Sequence, residues 1–296
     1  MKAEELMGRV VAGFGGFYHV RLSDGRVLVC RGRGKLKKTH KSILVGDDVR
    51  ISMLDGEGVL LGNSDQKVEA MIEEIYPRRN QLHRPHICNI DQLVIVLAWH
   101  LPDYDLLLLD NMLLMARMAQ VDVLICFNKT DLMLPEEQPQ LELIRRAYGE
   151  AGCKVLTVSA ELGRGVEELR HELSGRCSVF VGPSGVGKSS LLNLLLPDEH
   201  AQTGAVSERL LRGKHTTRYV RLLPLPDDEA NGMIADTPGF FVLDSPSQVD
   251  QYMLPQLYSE YVFCAESDNG CRFDGCRHDK EPDCVQVGGK TVKIQA

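Results

Sequence analysis

Apolar residues run almost unbroken near 91–98, 121–127, 154–158, 177–181, 219–223 and 232–235, as expected of strands covered on both faces. Stretches with helical apolar spacing near 105–119, 139–149, 165–173 and 188–196 alternate with the first four strands. This alternation predicts an α/β domain built on a parallel sheet. The first seventy or so residues follow a different rhythm. Short runs at 8–13, 18–22, 26–30, 48–51 and 58–61 are separated by glycine turns. Five short strands at this spacing predict a small barrel such as an OB-fold. The resulting division is an N-terminal OB-fold barrel over 1–70, a linker over 71–89, an α/β domain over 90–245 and a C-terminal module over 246–296.

The turns that close these strands carry the chemistry. Gly182-Pro183-Ser184-Gly185-Val186-Gly187-Lys188-Ser189, followed by Ser190, matches G-x-x-x-x-G-K-[ST] between a strand and a helix, the setting of a phosphate loop. Backbone N–H groups and the helix N-terminus face phosphate in such a loop. Lys188 then reaches the outer phosphates, and the Ser189 hydroxyl helps hold Mg²⁺. Asp236-Thr237-Pro238-Gly239 closes the strand near 232–235 and lies 48 residues beyond Lys188. Its carboxylate suits Mg²⁺ and its Gly239 N–H suits a terminal phosphate, whereas alone it would be an ordinary turn.

Asn128-Lys129-Thr130-Asp131 closes the strand near 121–127. The Asp131 carboxylate can accept from both guanine N1–H and the 2-amino group, a donor pair that adenine lacks, so it favours GTP over ATP. Ser159-Ala160 fits a further base-contacting loop. The base-side turn precedes the phosphate loop in the chain, so a guanine-nucleotide domain is read here in circularly permuted order. Such permutation is tolerated when the old termini lie close together at the surface.

Between the phosphate loop and Asp236, Arg212-Gly213-Lys214-His215-Thr216-Thr217-Arg218 is polar and aperiodic and reads as a switch loop. Either Thr216 or Thr217 could complete the Mg²⁺ shell. Phe240 stands where GTPases often carry a water-orienting Gln, so His215 becomes the candidate to position the attacking water.

Cys271-x₄-Cys276-x-His278-x₅-Cys284 supplies three thiolates and an imidazole, the ligand set of a closed structural zinc site. Disulfides are the alternative, but nine Cys and no signal peptide in a chain of 296 residues favour a reducing cytoplasm. Cys30, Cys126, Cys153 and Cys177 read as core or near-surface filler, and Cys88 and Cys264 have no evident role. The apolar runs are too short or interrupted to span a membrane.

Charge separates the two ends. The chain carries −7 overall, with +4 over residues 1–90 and −11 over the remainder. Residues 31–41 hold six Lys or Arg and no acid, an electrostatic footprint for a phosphate backbone, although a solvated basic loop has the same composition.

Together these motifs resemble the RsgA/YjeQ family over roughly residues 1–285. The carriers are the barrel, the permuted order of Asn128–Asp131, Ser159-Ala160 and Gly182–Ser189, then Lys214-His215-Thr216-Thr217, Asp236–Gly239 and the zinc spacing. The resemblance implies a cytoplasmic GTPase that binds the 30S ribosomal subunit and its rRNA, acts late in subunit maturation and is stimulated by that subunit. It implies Mg²⁺ and phosphate roles for Lys188, Ser189, Thr217 and Asp236, guanine roles for Asn128 and Asp131, and catalysis through His215. A monomer is the simpler expectation. Val285–Ala296 is short and Gly-broken where similar proteins continue into a helical segment. A different reading is an rRNA-binding scaffold in which the nucleotide is structural. A third, an ATP-using enzyme acting on a small molecule, is disfavoured by Asp131 and by the basic segment.

Overall fold

A computed structural model describes residues 5–34, 42–54, 59–60, 67–82, 84–197 and 220–236. The first strands are β1 (Glu5–Phe14), β2 (Phe17–Leu22), β3 (Val27–Gly32), β4 (Asp48–Met53), β5 (Val59–Leu60), β6 (Lys67–Val68) and β7 (Ala70–Ile75). Pairing in the order β1-β2-β3-β7-β4, with β4 returning to β1, closes a five-stranded barrel. Its interior is filled by Val10, Val20, Leu28, Cys30, Val49, Ile51, Ala70 and Ile72.

The fifth barrel strand is therefore β7, in chain that the patterning assigns to the start of the linker. From the 58–61 run, Val59 and Leu60 instead form β5, which pairs with β6. Ala70-Met71-Ile72-Glu73-Glu74-Ile75 interleaves apolar and charged positions, because only one side of a barrel strand faces the core. The rest of the 71–89 stretch is also structured. It forms a hairpin of β8 (Gln81–Leu82) and β9 (Ile87–Cys88), and Leu82 and Ile87 enter the same apolar cluster as the α/β sheet.

The hairpin is locked to the barrel by a buried carboxylate. Asp47 accepts from Arg78 Nε at 2.7 Å and from Arg78 Nη2 at 2.9 Å. It also accepts from the Leu44 N–H at 2.7 Å, and Cys88 Sγ lies 3.2 Å away. Cys88 thus has a role in this lock that its position in the sequence did not suggest. Cys30, Cys126, Cys153 and Cys177 are buried thiols, as their apolar flanks predict.

The α/β part follows as β10 (Gln92–Ala98), α1 (Leu106–Met118), β11 (Asp122–Asn128), α2 (Gln138–Glu150), β12 (Lys154–Thr157), α3 (Val166–Leu173), β13 (Cys177–Val181), α4 (Lys188–Leu195), β14 (Arg221–Pro224) and β15 (Met233–Asp236). The order across the sheet is β12-β11-β10-β13-β15-β14. All neighbours are parallel except β14, which is antiparallel to β15. Along β10 the side chains alternate between two cores. Leu93, Ile95 and Leu97 pack with α1 and α2, while Val94, Val96 and Ala98 pack with α3 and α4. Covering on both faces explains why β10 is buried at every position.

The first two helices have local starting signals. Asp105 caps α1 by accepting from the Leu108 N–H at 3.2 Å, and α2 carries Pro139 in its first turn. One further pairing joins the two folds: Ala12 of β1 lies opposite Arg221 of β14, so barrel and α/β sheet are hydrogen-bonded into one eleven-stranded sheet. Among the described residues, no helix is long and apolar enough to cross a membrane.

Candidate nucleotide site

The chain runs outward from β10 through β11 to β12, then returns to lay β13 on the other side of β10. This reversal is a topological switch point, where open parallel sheets place their ligand crevice. Because β10 to β13 and β15 are parallel, the turns after them share one edge of the sheet. That edge collects 99–105, 128–131, 159–160, 182–189 and Asp236. The permuted chain order thus leaves the base-side and phosphate-side turns adjacent in space.

The phosphate-side loop is shaped by its glycines. Gly182, with φ 140°, lies so close to Val96 that a Cβ there would sit 2.1 Å from the Val96 carbonyl oxygen. At Gly187, with φ 93°, a Cβ would come within 2.2 Å of Asn128 Nδ2. Positive φ at successive turns points backbone N–H groups into one concavity, a nest for anionic oxygens. Lys188 Nζ donates to the Gly182 and Pro183 carbonyls at 2.8 and 2.6 Å, folding the lysine over its own loop. Burial lowers its pKa from the ordinary lysine value. Ser184, Gly185, Ser189 and Ser190 are exposed on the loop and the first turn of α4, and Val186 is buried beneath it.

Asn128 is buried and joins three turns. Its Nδ2 donates to the Val186 carbonyl at 2.8 Å, and its Oδ1 accepts from the Ala160 N–H at 3.0 Å. Ser159 Oγ donates to Asp131 Oδ1 at 2.5 Å and accepts from the Leu162 N–H at 3.1 Å. Asp131 therefore keeps an exposed carboxylate fixed from one side. Thr130 Oγ1 donates to the Val158 carbonyl at 2.8 Å, and Lys129, in the left-handed region with φ 59°, donates through Nζ to the Leu101 carbonyl. An exposed, oriented carboxylate beside a braced phosphate nest can hold a purine bearing two adjacent N–H donors.

The site thus brings together Asn128, Lys129, Asp131, Ser159, Ala160, Gly182–Ser190 and Asp236. His215, Thr216, Thr217, Gly239 and Phe240 lie outside the described residues, as do Cys271, Cys276, His278 and Cys284. The sequence reading missed Trp99, His100, Leu101 and Glu137, which flank the base-side turn. For Trp99, His100 and Leu101 the sequence signal was a position directly after the buried strand β10, whereas Glu137, on a 3-10 turn well beyond β11, had none.

Comparison with known proteins finds matches to both parts of the chain. Residues 75–246 match the family model described as RsgA GTPase, and residues 7–60 match the RsgA N-terminal domain. A protein named small ribosomal subunit biogenesis GTPase RsgA from Caldanaerobacter subterraneus subsp. tengcongensis is 38% identical over 282 residues, covering 95% of this chain and 88% of its own length. One of the same name from Geobacillus kaustophilus is 39% identical over 278 residues, covering 94% and 88%. Among solved structures, YjeQ from Thermotoga maritima superposes with a TM-score of 0.75 at 28% identity, covering 96% of this chain and 90% of that one. YloQ, described as a circularly permuted GTPase, gives 0.75 at 29%, covering 96% and 88%. With the family model spanning more than half the chain and these relatives matching nearly all of it, the chain belongs to the RsgA GTPase family.

Proposed function

We propose that this chain, by its family a GTPase of small-ribosomal-subunit biogenesis, works as a nucleotide switch on the immature 30S subunit. GTP binding raises its affinity for subunit RNA and protein, the subunit stimulates hydrolysis, and hydrolysis releases it. The observation that carries this reading is Asn128 bracing the base-side and phosphate-side turns at one sheet edge.

In this reading the Gly182–Ser190 backbone enfolds the phosphates and Lys188 binds the outer ones. Asn128, Lys129, Asp131, Ser159 and Ala160 form the guanine side. Glycine at 182 and 187 lets the loop press against Val96 and Asn128, where a Cβ would clash, and leaves its backbone N–H groups for phosphate oxygens. Ser189 on the first turn of α4 and Asp236 at the end of β15 offer oxygen donors at the same edge, fitting Mg²⁺, with Thr217 or Thr216 as a further ligand. Mg²⁺ there would neutralise charge developing on the phosphate oxygens. The Gly239 N–H would face the terminal phosphate. His215 positions the attacking water, because Phe240 cannot.

Two further assignments belong to the same reading. Cys271, Cys276, His278 and Cys284 hold one structural zinc, and the basic 31–41 segment of the barrel contacts rRNA. The protein acts in the cytoplasm as a monomer. Cosedimentation with purified small subunits tests the switch. Retention with a non-hydrolysable GTP analogue and loss with GDP support it, and equal retention with both argues for a scaffold.

A further inference from the structure

Two bonds zip the segment after β10 to the base-side turn, and a third ties it to the 3-10 turn Pro135–Glu137. The Trp99 N–H donates to the Asn128 carbonyl at 2.9 Å, and Lys129 Nζ donates to the Leu101 carbonyl. Glu137, on the 3-10 turn Pro135–Glu137, accepts from Trp99 Nε1 at 3.0 Å and from the Leu134 N–H at 2.8 Å. His100 sits between two of these anchors, flanked by Trp99 and Leu101.

Both nitrogens of the His100 ring face carboxylates. Nδ1 lies 2.9 Å from Asp103 Oδ1, and Nε2 lies 3.0 and 3.1 Å from the two oxygens of Glu137. A neutral imidazole carries one N–H, so it would turn a lone pair toward one of these ionised acceptors. Only the imidazolium satisfies both at once. We propose that His100 is a pH-responsive positioning residue for the nucleotide: as an imidazolium it ties the 99–103 segment to the 3-10 turn ending at Glu137 and holds the base-side turn in its binding shape.

The surrounding charges agree. Asp103 first and then Glu137 raise the His100 pKa, while the hydrogen bonds from the Leu134 N–H and Trp99 Nε1 hold Glu137 ionised at lower pH than usual. Tyr104 lies within reach of both carboxylate charges, and the cation of the adjoining turn is Lys129, directed to Leu101. A raised pKa gives the sign. The tether is fully present below the ordinary His value and is lost as pH rises through the folded value.

This inference rests on assigning the 128–131 turn to guanine. Its test is release of fluorescent mant-GDP from the full chain between pH 6 and 8.5, for wild type, His100→Gln and Glu137→Gln. Wild type should release about threefold more slowly than either variant at pH 6, with the difference vanishing by pH 8.5. Glu137→Gln keeps acceptors for Trp99 and Leu134, so it isolates the charge from the packing. Parallel profiles, with a ratio independent of pH, would overturn the proposal, because a purely structural loss speeds release at every pH. Asp131→Asn separates the two assignments. If it does not shift preference from guanine to xanthine nucleotide, the base assignment fails and the inference with it. If it does while the profiles stay parallel, His100 alone is wrongly assigned.

Discussion

Asn128 Nδ2 lies 2.8 Å from the Val186 carbonyl, so a side chain from the base-side turn closes the back of the phosphate loop. The same amide accepts from Ala160, and the Val186 contact is buried while the Ala160 contact is partly so. In the chain the two partners stand 58 residues apart, and in the sheet they occupy neighbouring strand ends.

Replacing Asn128 with Ala leaves the Val186 carbonyl and the Ala160 N–H without partners. Leaving a buried polar group unsatisfied costs about 1–3 kcal/mol. The expected outcome is a lower unfolding midpoint without nucleotide, together with weaker binding of both GTP and GDP. Thermal unfolding and mant-nucleotide titration check it, and a loss of affinity with unchanged stability would mean that Asn128 serves the base alone.

Gly182→Ala should lose nucleotide binding and also destabilise the sheet. A methyl group 2.1 Å from the Val96 oxygen must push either the loop or β10 aside, and the backbone there has φ 140°. Strain at such a position costs on the order of 1–3 kcal/mol. Chemical denaturation without nucleotide reads the structural part, and mant-GDP titration reads the site.

Asp47→Ala should be among the most damaging single changes outside the nucleotide site. It strips the partly buried Arg78 of its carboxylate and frees the hairpin that packs against the α/β core. Removing one partner of a buried pair costs about 3–5 kcal/mol. Urea denaturation measures the loss, and a change near zero would show that the hairpin is held by its apolar contacts alone.

Asp228 gives a prediction in acid. Burial pushes its pKa up, but donors from Ser174, Gly175, Gly232 and Ala230 outweigh that and bring it to about 2. A depressed carboxylate stabilises above its unfolded value and loses that stabilisation as pH falls through the folded one. Between about pH 4 and pH 2 the wild type should therefore lose stability more steeply than Asp228→Asn, as followed by denaturation midpoints.

Much of this architecture was legible in the sequence. The buried run of β10 and the strand-loop-helix flanks of Gly182–Ser189 each have a local signature, and the structure places them as the patterning predicts. Strand β7 was missed because Glu73 and Glu74 break its apolar run. The His100–Glu137 contact joins residues 37 apart with no periodicity between them. Asp47 and Arg78 are 31 apart and look like ordinary surface charges until the hairpin folds against the barrel.

The account stands most directly on GTP turnover by the full chain with and without purified small ribosomal subunits, in wild type and His215→Ala. It predicts strong stimulation in wild type, and in the variant a loss of stimulated turnover of about 10²-fold or more with nucleotide affinity nearly intact. A wild-type rate unchanged by subunits would contradict it, and equal stimulation of the variant would remove His215 from the mechanism.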